Sequence, residues 1–266
     1  DFKGTDNKFV QWIELGRRRF RLGSVPLNVA IPYQKAIQEY KCAWIYTSAT
    51  LTAKQSFSHF TEQLGLENSE CVMCDSPFDY AGQSRLYLPS IKLQPNEQGY
   101  TEQVVKTAIP LLKASRGNAF MLFTSHKALN QAADLLKDSS FNILVQGAAA
   151  KRELLKQFQE TKNCVLLGTQ SFWEGVDVKG QDLRLVIIDK LPFVSPADPL
   201  VRARSKALEE AGENPFMTYQ IPQAILNLKQ GVGRLIRGEQ DCGVVVLMDP
   251  RLKSKAYGKS FLKSLP

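Results

Sequence analysis

The sequence predicts an α/β fold, a parallel sheet covered by helices on both faces. Three observations point there. From position 101 onward, short apolar runs alternate with stretches of helical periodicity, at the spacing of β-α-β units. The runs are rich in Val, Ile and Leu, above all at 185–188 and 244–248, which suits strands buried on both sides. Glycines and hydroxyl residues follow several of these runs directly, where open parallel sheets bind their ligands.

The elements are expected in this order. Residues 10–15 and 19–22 read as short strands around a Gly-Arg turn, and 33–40 as a short helix. Residues 43–46 are a buried-strand candidate that runs into Thr47-Ser48-Ala49-Thr50, and helical spacing over 54–64 stops at Gly65. Residues 66–100 are irregular, punctuated by Pro77, Gly82, Pro89, Pro95 and Gly99, with one strand near 85–88. A helix follows over 101–114, in which Pro110 predicts a kink or a boundary. Strands at 119–123, 143–145, 164–167, 185–188 and 244–248 are separated by helices at 125–137, 151–159, 198–211 and 220–235. Ser125 is the expected N-cap of the first of these helices. Asp198 caps the third, with Pro199 at its first position. A Gly-rich loop runs from Gly168 to Gly180. One domain over 1–266 is expected, with 66–100 as an irregular insertion and 250–266 as a basic C-terminal tail.

With 266 residues, 44% of them apolar, the chain can bury a large core. That composition excludes global disorder and a collagen-like repeat. No apolar run approaches the ~20 residues that cross a membrane. Five cysteines make no disulfide framework and favour a reducing, cytosolic compartment. Cys71 and Cys74 form a single C-x-x-C without the second pair or the histidines of a zinc site, and His59 and His126 stand far apart, so no metal is expected. The chain begins at Asp1 rather than Met, as expected of a piece processed or cut from something longer. Its net charge of +8 is concentrated in 1–41 and 229–263, which makes a polyanion a reasonable partner. Charge alone does not choose between DNA, RNA and acidic lipid.

Three segments carry chemistry. In Gln230-Gly231-Val232-Gly233-Arg234-Leu235-Ile236-Arg237, the two arginines three apart are expected on one face of a helical turn, with Gln230 on a similar face. Two permanently charged forks in parallel suit a phosphate chain. Glycines at 231 and 233 cost a helix roughly 1 kcal/mol each, which a merely solvated face would not repay. Gly168-Thr169-Gln170-Ser171-Phe172-Trp173-Glu174-Gly175-Val176-Asp177 follows a strand and offers phosphate donors, a turn glycine and a carboxylate for a ribose or a metal-bound water. Trp173 reads as core filler or a stacking residue. Thr47-Ser48-Ala49-Thr50-Leu51 reads equally as a phosphate-site link and a capping turn. No G-x-x-x-x-G-K-[ST] is present; Gly258-Lys259-Ser260 has Lys253 where the first glycine belongs. The chain thus owns arginines for a nucleotide but no cradle for one.

With Phe123-Thr124-Ser125 added, these segments resemble, in order and type, motifs III, IV, V and VI of superfamily 2 helicases. The run Ser171–Asp177, Asp189-Lys190-Leu191-Pro192-Phe193 and Ser76-Pro77-Phe78 are similar to the XPD/DinG group, most of all its YoaA branch. The resemblance implies the second RecA-like motor lobe of an ATP-dependent 5′–3′ DNA helicase of repair and replication, a fragment inactive alone. ATP and Mg²⁺ would be shared with a first lobe bearing the Walker motifs, and a [4Fe–4S] cluster would lie upstream, so Cys71 and Cys74 are not assigned to it. It implies that Arg237 is the arginine finger, with Arg234 and Gln230 completing the nucleotide face. Gly175, Asp177 and Glu174 would lie near the nucleotide, and Ser48 and Thr50 would couple hydrolysis to lobe movement. Thr124, Ser125, Thr169 and Gln170 would touch single-stranded or forked DNA. Two alternatives accompany this reading. One is a docking module for a replication partner such as the chi subunit of the replicative DNA polymerase, through the tail 257–266 with Phe261 and Leu262. The other is an RNA helicase lobe, which shares motif VI.

Overall fold

A computed structural model describes residues 9–16, 19–48, 50–52, 56–169, 172 and 182–266. In chain order its elements are β1 (Phe9–Leu15), β2 (Phe20–Pro26), α1 (Ala30–Gln38), α2 (Ser58–Leu64), α3 (Tyr80–Gln83), β3 (Ser84–Tyr87), α4 (Tyr100–Ala114) and β4 (Ala119–Phe123). Then come α5 (His126–Leu136), β5 (Asn142–Val145), α6 (Lys151–Glu160), β6 (Cys164–Thr169), β7 (Leu185–Ile188) and α7 (Pro199–Glu210). A π-helical turn (Phe216–Gln220) leads into α8 (Ile221–Val232), followed by β8 (Gly243–Leu247), α9 (Arg251–Ser254) and α10 (Gly258–Ser264). The chain divides into two compact units, Asp1–Met73 with Phe193–Leu226, and Cys74–Pro192 with Asn227–Pro266.

In the first unit β1 and β2 form an antiparallel ribbon, in register from Phe9 opposite Pro26 to Leu15 opposite Phe20. Strand side chains alternate between faces, so Phe9, Ile13 and Leu15 share a face with Phe20 and Leu22, and all five are exposed. Val10, on the other face, is buried. Helix α2 ends at Gly65, which takes the left-handed conformation (φ +69°) that glycine adopts without strain, and its carbonyl accepts the Gln34 side-chain amide. Tyr33 donates to the Tyr46 hydroxyl at 2.6 Å, and Tyr46 meets Phe60 edge-on. The buried strand expected at 43–46 does not form. These residues make no ladder among the described residues, and Trp44 and Ile45 are exposed. Four apolar residues carry too little periodicity to distinguish a buried strand from an extended surface segment.

The second unit holds the expected parallel sheet, six strands in the order β3-β8-β7-β4-β6-β5, every neighbouring pair parallel. Strands β4, β6 and β7 are buried along their whole length. Ala119, Met121 and Phe123 pack with Val104, Ala108 and Leu112 of α4 and Leu129, Ala132 and Leu136 of α5. Phe120 points to the opposite face and meets Phe158 of α6, with ring centroids 4.8 Å apart. Helices therefore cover both faces. Helix α4 continues through Pro110, so the proline is not the boundary that the sequence offered as one alternative. Pro110 and Lys106, whose carbonyl loses its i+4 donor, are both exposed, so that carbonyl keeps water as a partner.

The basic stretch 250–266 forms α9 and α10. Gly258 lies so close to Leu252 that a Cβ would sit 2.1 Å from the Leu252 carbonyl oxygen, and Phe261 has no exposed surface. Within 66–100 the strand expected near 85–88 forms as β3, an edge strand of the main sheet. Among the described residues no helix is long and apolar enough to cross a membrane.

Candidate functional site

The residues after β4 and the end of β6 come together because their strands pair in register, with Phe123 opposite Thr169. Ser125 caps α5 as expected, its hydroxyl oxygen accepting the Ala128 N–H at 3.2 Å. The Thr124 N–H donates to Asp189, while the Thr124 hydroxyl is buried with no hydrogen-bond partner among the described residues. Thr169 is buried, and both its N–H (2.6 Å) and its hydroxyl (3.0 Å) donate to the side-chain oxygen of Gln146. Gly168 is a strand residue, paired with Leu122, rather than part of a loop. A Cβ there would meet Phe172 at 3.0 Å.

Two buried aspartates end the neighbouring strands. Asp189, just past β7, accepts N–H groups from Thr124 (3.1 Å) and Lys190 (2.7 Å). Burial drives its carboxyl up to about 7; Lys190 and the two N–H donors pull the other way, and the nearby Asp249 adds to the rise. Asp249, just past β8, accepts the Leu191 N–H at 2.8 Å and pairs with the Arg251 guanidinium at 2.6–3.1 Å. Tyr100 donates to the Asp189 carbonyl at 2.6 Å. The segment 189–193 is thereby fastened at both carboxylates. The sequence singles out Asp189 within the family-like segment 189–193 but gives it no role; the signal for the network is an acidic residue after each of two all-apolar runs.

Gln230 lies in α8, but the helix ends at Val232 and Arg234 and Arg237 lie beyond it. The expected face of one helical turn is therefore not formed. The cause is in the glycines: after Gly233 the N–H groups of Arg234 and Leu235 bond back three residues, to Gly231 and Val232, and the helix tightens and stops. At Gly233 a Cβ would meet the Lys229 carbonyl at 3.0 Å, so this glycine lets its own chain turn rather than admitting a second backbone. Arg234 is half-buried and Arg237 exposed. The Gln230 side-chain oxygen is buried and has no hydrogen-bond partner among the described residues.

The loop after Arg237 is held by two residues that motif reading missed. The Asp241 carboxylate accepts the N–H groups of Arg237 (2.8 Å) and Gly238 (2.9 Å). The Gln83 amide nitrogen donates to the carbonyls of Gly238 (2.8 Å), Glu239 (3.0 Å) and Asp241 (3.0 Å). This loop precedes β8, whereas Thr124 and Ser125 follow β4 and Thr169 ends β6. In a parallel sheet these are opposite ends.

In the first unit, Ser48 accepts the Thr50 N–H at 3.1 Å and the two hydroxyls lie 3.2 Å apart, a local turn. Gln170, Trp173, Glu174, Gly175 and Asp177 lie outside the described residues. Among the described residues no three His, Cys, Asp or Glu side chains gather as a metal site, and Cys71 and Cys74 are exposed. They do not fit an iron–sulfur cluster.

A model of the helicase C-terminal domain family matches residues 108–266. The chain is 43% identical over 259 residues to the ATP-dependent DNA helicase YoaA of Escherichia coli, covering 97% of this chain and 41% of that protein. It is 36% identical over 252 residues to the ATP-dependent DNA helicase DinG of Photobacterium profundum, covering 91% and 36%. The chain thus spans about two fifths of the length of the curated relatives it matches. Its fold is similar to that of S. tokodaii Xpd4, with a TM-score of 0.62 and 18% identity over 91% of this chain and 46% of that one. The sheet is of the RecA-like kind.

Proposed function

The chain belongs to the helicase C-terminal domain family, and from that premise we propose that it is the C-terminal motor lobe of an ATP-dependent DNA helicase. The motor moves 5′ to 3′ and serves DNA repair or replication in the cytoplasm. The observation that carries this reading is the loop after α8, where Arg234 and Arg237 ride on a backbone tied down by Asp241. Arg237 supplies the arginine finger, which meets the charge that develops in phosphoryl transfer and is worth about 10³–10⁵ in rate. Arg234 and Gln230 complete the nucleotide face, and Gly175, Asp177 and Glu174 are assigned to the same nucleotide from the motif they belong to. Ser48 and Thr50 couple hydrolysis to lobe movement. Thr124, Ser125, Thr169 and Gln170 track single-stranded or forked DNA.

ATP and Mg²⁺ are held chiefly by a first lobe, which provides the phosphate cradle, and a [4Fe–4S] cluster belongs to that part. The reading is supported by the names of the relatives and by the order of the four motifs. It is tested by ATP hydrolysis with and without single-stranded DNA. This chain alone should not turn over, and restoring an ATP-binding lobe should give DNA-stimulated hydrolysis. Turnover by the chain alone would end the half-motor reading, and silence with both lobes present would end the motor reading. Stimulation by RNA in preference to DNA would select the RNA helicase alternative.

A second reading, recruitment by a protein partner such as the polymerase chi subunit, is favoured by the exposed apolar face of the β1–β2 ribbon. The C-terminal tail is a poorer candidate, because Phe261 is buried. Capture of chi by the parent chain, and its loss in Leu15→Glu with Phe20→Glu, is the expected outcome. Equal capture by both would remove the ribbon from the argument.

A further inference from the structure

We propose that Gln83 and Asp241 are positioning residues for Arg237. The inference rests on the arginine-finger reading and says how that finger is aimed. Arg237 has left α8, so no helical ladder holds its backbone. Two side chains do so instead. Asp241 is only 7% exposed, and its carboxylate accepts the N–H of Arg237 itself and of the next residue. Hydrogen bonds to an ionised acceptor are roughly twice as strong as neutral ones. Gln83 reaches in from a distant part of the chain, and its two amide N–H groups are shared among three carbonyls of the same loop. Three acceptors face its amide nitrogen, so only the –NH₂ end of the amide can point there.

Gln83 is itself fixed. It closes α3, whose N-cap Asp79 accepts the Gly82 N–H at 3.0 Å, and the next residue opens β3, which pairs with β8. The loop 238–241 is therefore clamped between the entries to two paired strands. This gives the Ser76-Pro77-Phe78 segment a task that its resemblance to a family does not specify: it leads the chain into the short helix that delivers Gln83. Without the clamp the guanidinium remains on the protein, but its point of attachment is no longer fixed. Catalysis by a preorganised charge is sensitive to that, and a displacement of about 1 Å can cost on the order of 100-fold.

The test uses the helicase polypeptide that carries both lobes and measures DNA-stimulated ATP hydrolysis. Gln83→Ala and the isosteric Gln83→Glu are each expected to lower kcat by about 10- to 100-fold while KM for ATP stays within about twofold. Asp241→Asn, which keeps an acceptor oxygen, should retain more activity than Asp241→Ala. Combined with Arg237→Ala, the Gln83→Ala change should lower kcat by less than about twofold further, because a residue that acts through Arg237 has nothing left to position. Parent-like kcat in both Gln83 variants overturns the proposal, as does the full loss repeated on top of Arg237→Ala. Parent-rate turnover by Arg237→Ala alone overturns the finger reading itself, so the two failures are told apart.

Discussion

Asp189 accepts the backbone N–H of Thr124 across 3.1 Å and so ties the end of β7 to the end of its neighbour β4. The carboxylate is only 3% exposed. It has two N–H donors, yet burial outweighs them and holds its proton up to about 7. The segment that leads out of β7 is thus anchored on a group that changes charge near neutrality, with Lys190, Asp249, Arg251 and Tyr100 as its charged and titratable surroundings.

The pH dependence follows with a definite sign. The folded chain keeps a proton on Asp189 that the unfolded chain releases near the ordinary value of 3.8. The stability contributed by this group is complete below that value and is lost as pH rises through about 7. Asp189→Asn is expected to flatten the fall in stability between about pH 5 and 8 and to exceed the parent at the alkaline end. Urea midpoints across that range check it; equal slopes for the two proteins would refute it.

Arg251 neutralises the buried Asp249 through its Nε and Nη2. Arg251→Met should leave that carboxylate uncompensated and cost about 3 kcal/mol, the low end for a buried pair because the guanidinium is partly exposed. Denaturant unfolding measures this, and a loss under about 1 kcal/mol would contradict it.

Gly243 opens β8 against the preceding strand. A Cβ there would lie 2.4 Å from the Arg184 carbonyl oxygen and 2.7 Å from a Leu235 methyl. Gly243→Ala should therefore destabilise by about 1–3 kcal/mol through forced backbone movement, read as a lowered thermal midpoint. A midpoint equal to the parent's would show that β8 has room to spare.

Phe261 is wholly buried in α10. Phe261→Ala should cost about 3–5 kcal/mol, the usual price of emptying such a site. Removal of 257–266 should unfold the second unit, seen as lost cooperativity in thermal unfolding.

Much of the fold is legible because it is written locally. Strands 119–123 and 185–188 are all-apolar runs with clear ends, and the Ser125 and Asp198 caps use side chains that bond within three residues. The end of α8 was legible too, in Gly231 and Gly233, but there the pattern of charges pointed to a continued helix. The Gln83 clamp has no local signature: its partners lie beyond position 237, and nothing near Gln83 announces them. The apolar run at 43–46 misled for the opposite reason, since local hydrophobicity does not say whether a sheet is there to receive it.

The pairing of β3 with β8 joins Ser84 to Gly243, about 160 residues later in synthesis. A ribosome adding roughly 5–20 residues per second needs roughly 10–30 s to make the second strand after the first. Through that interval β3 is a strand without its ladder, and Gln83 beside it has no loop to hold. The edge of the sheet and the Gln83 side of the clamp are completed in the same late event, so a chain stalled before β8 carries Arg237 and Asp241 without the paired strand that sets Gln83 against their loop.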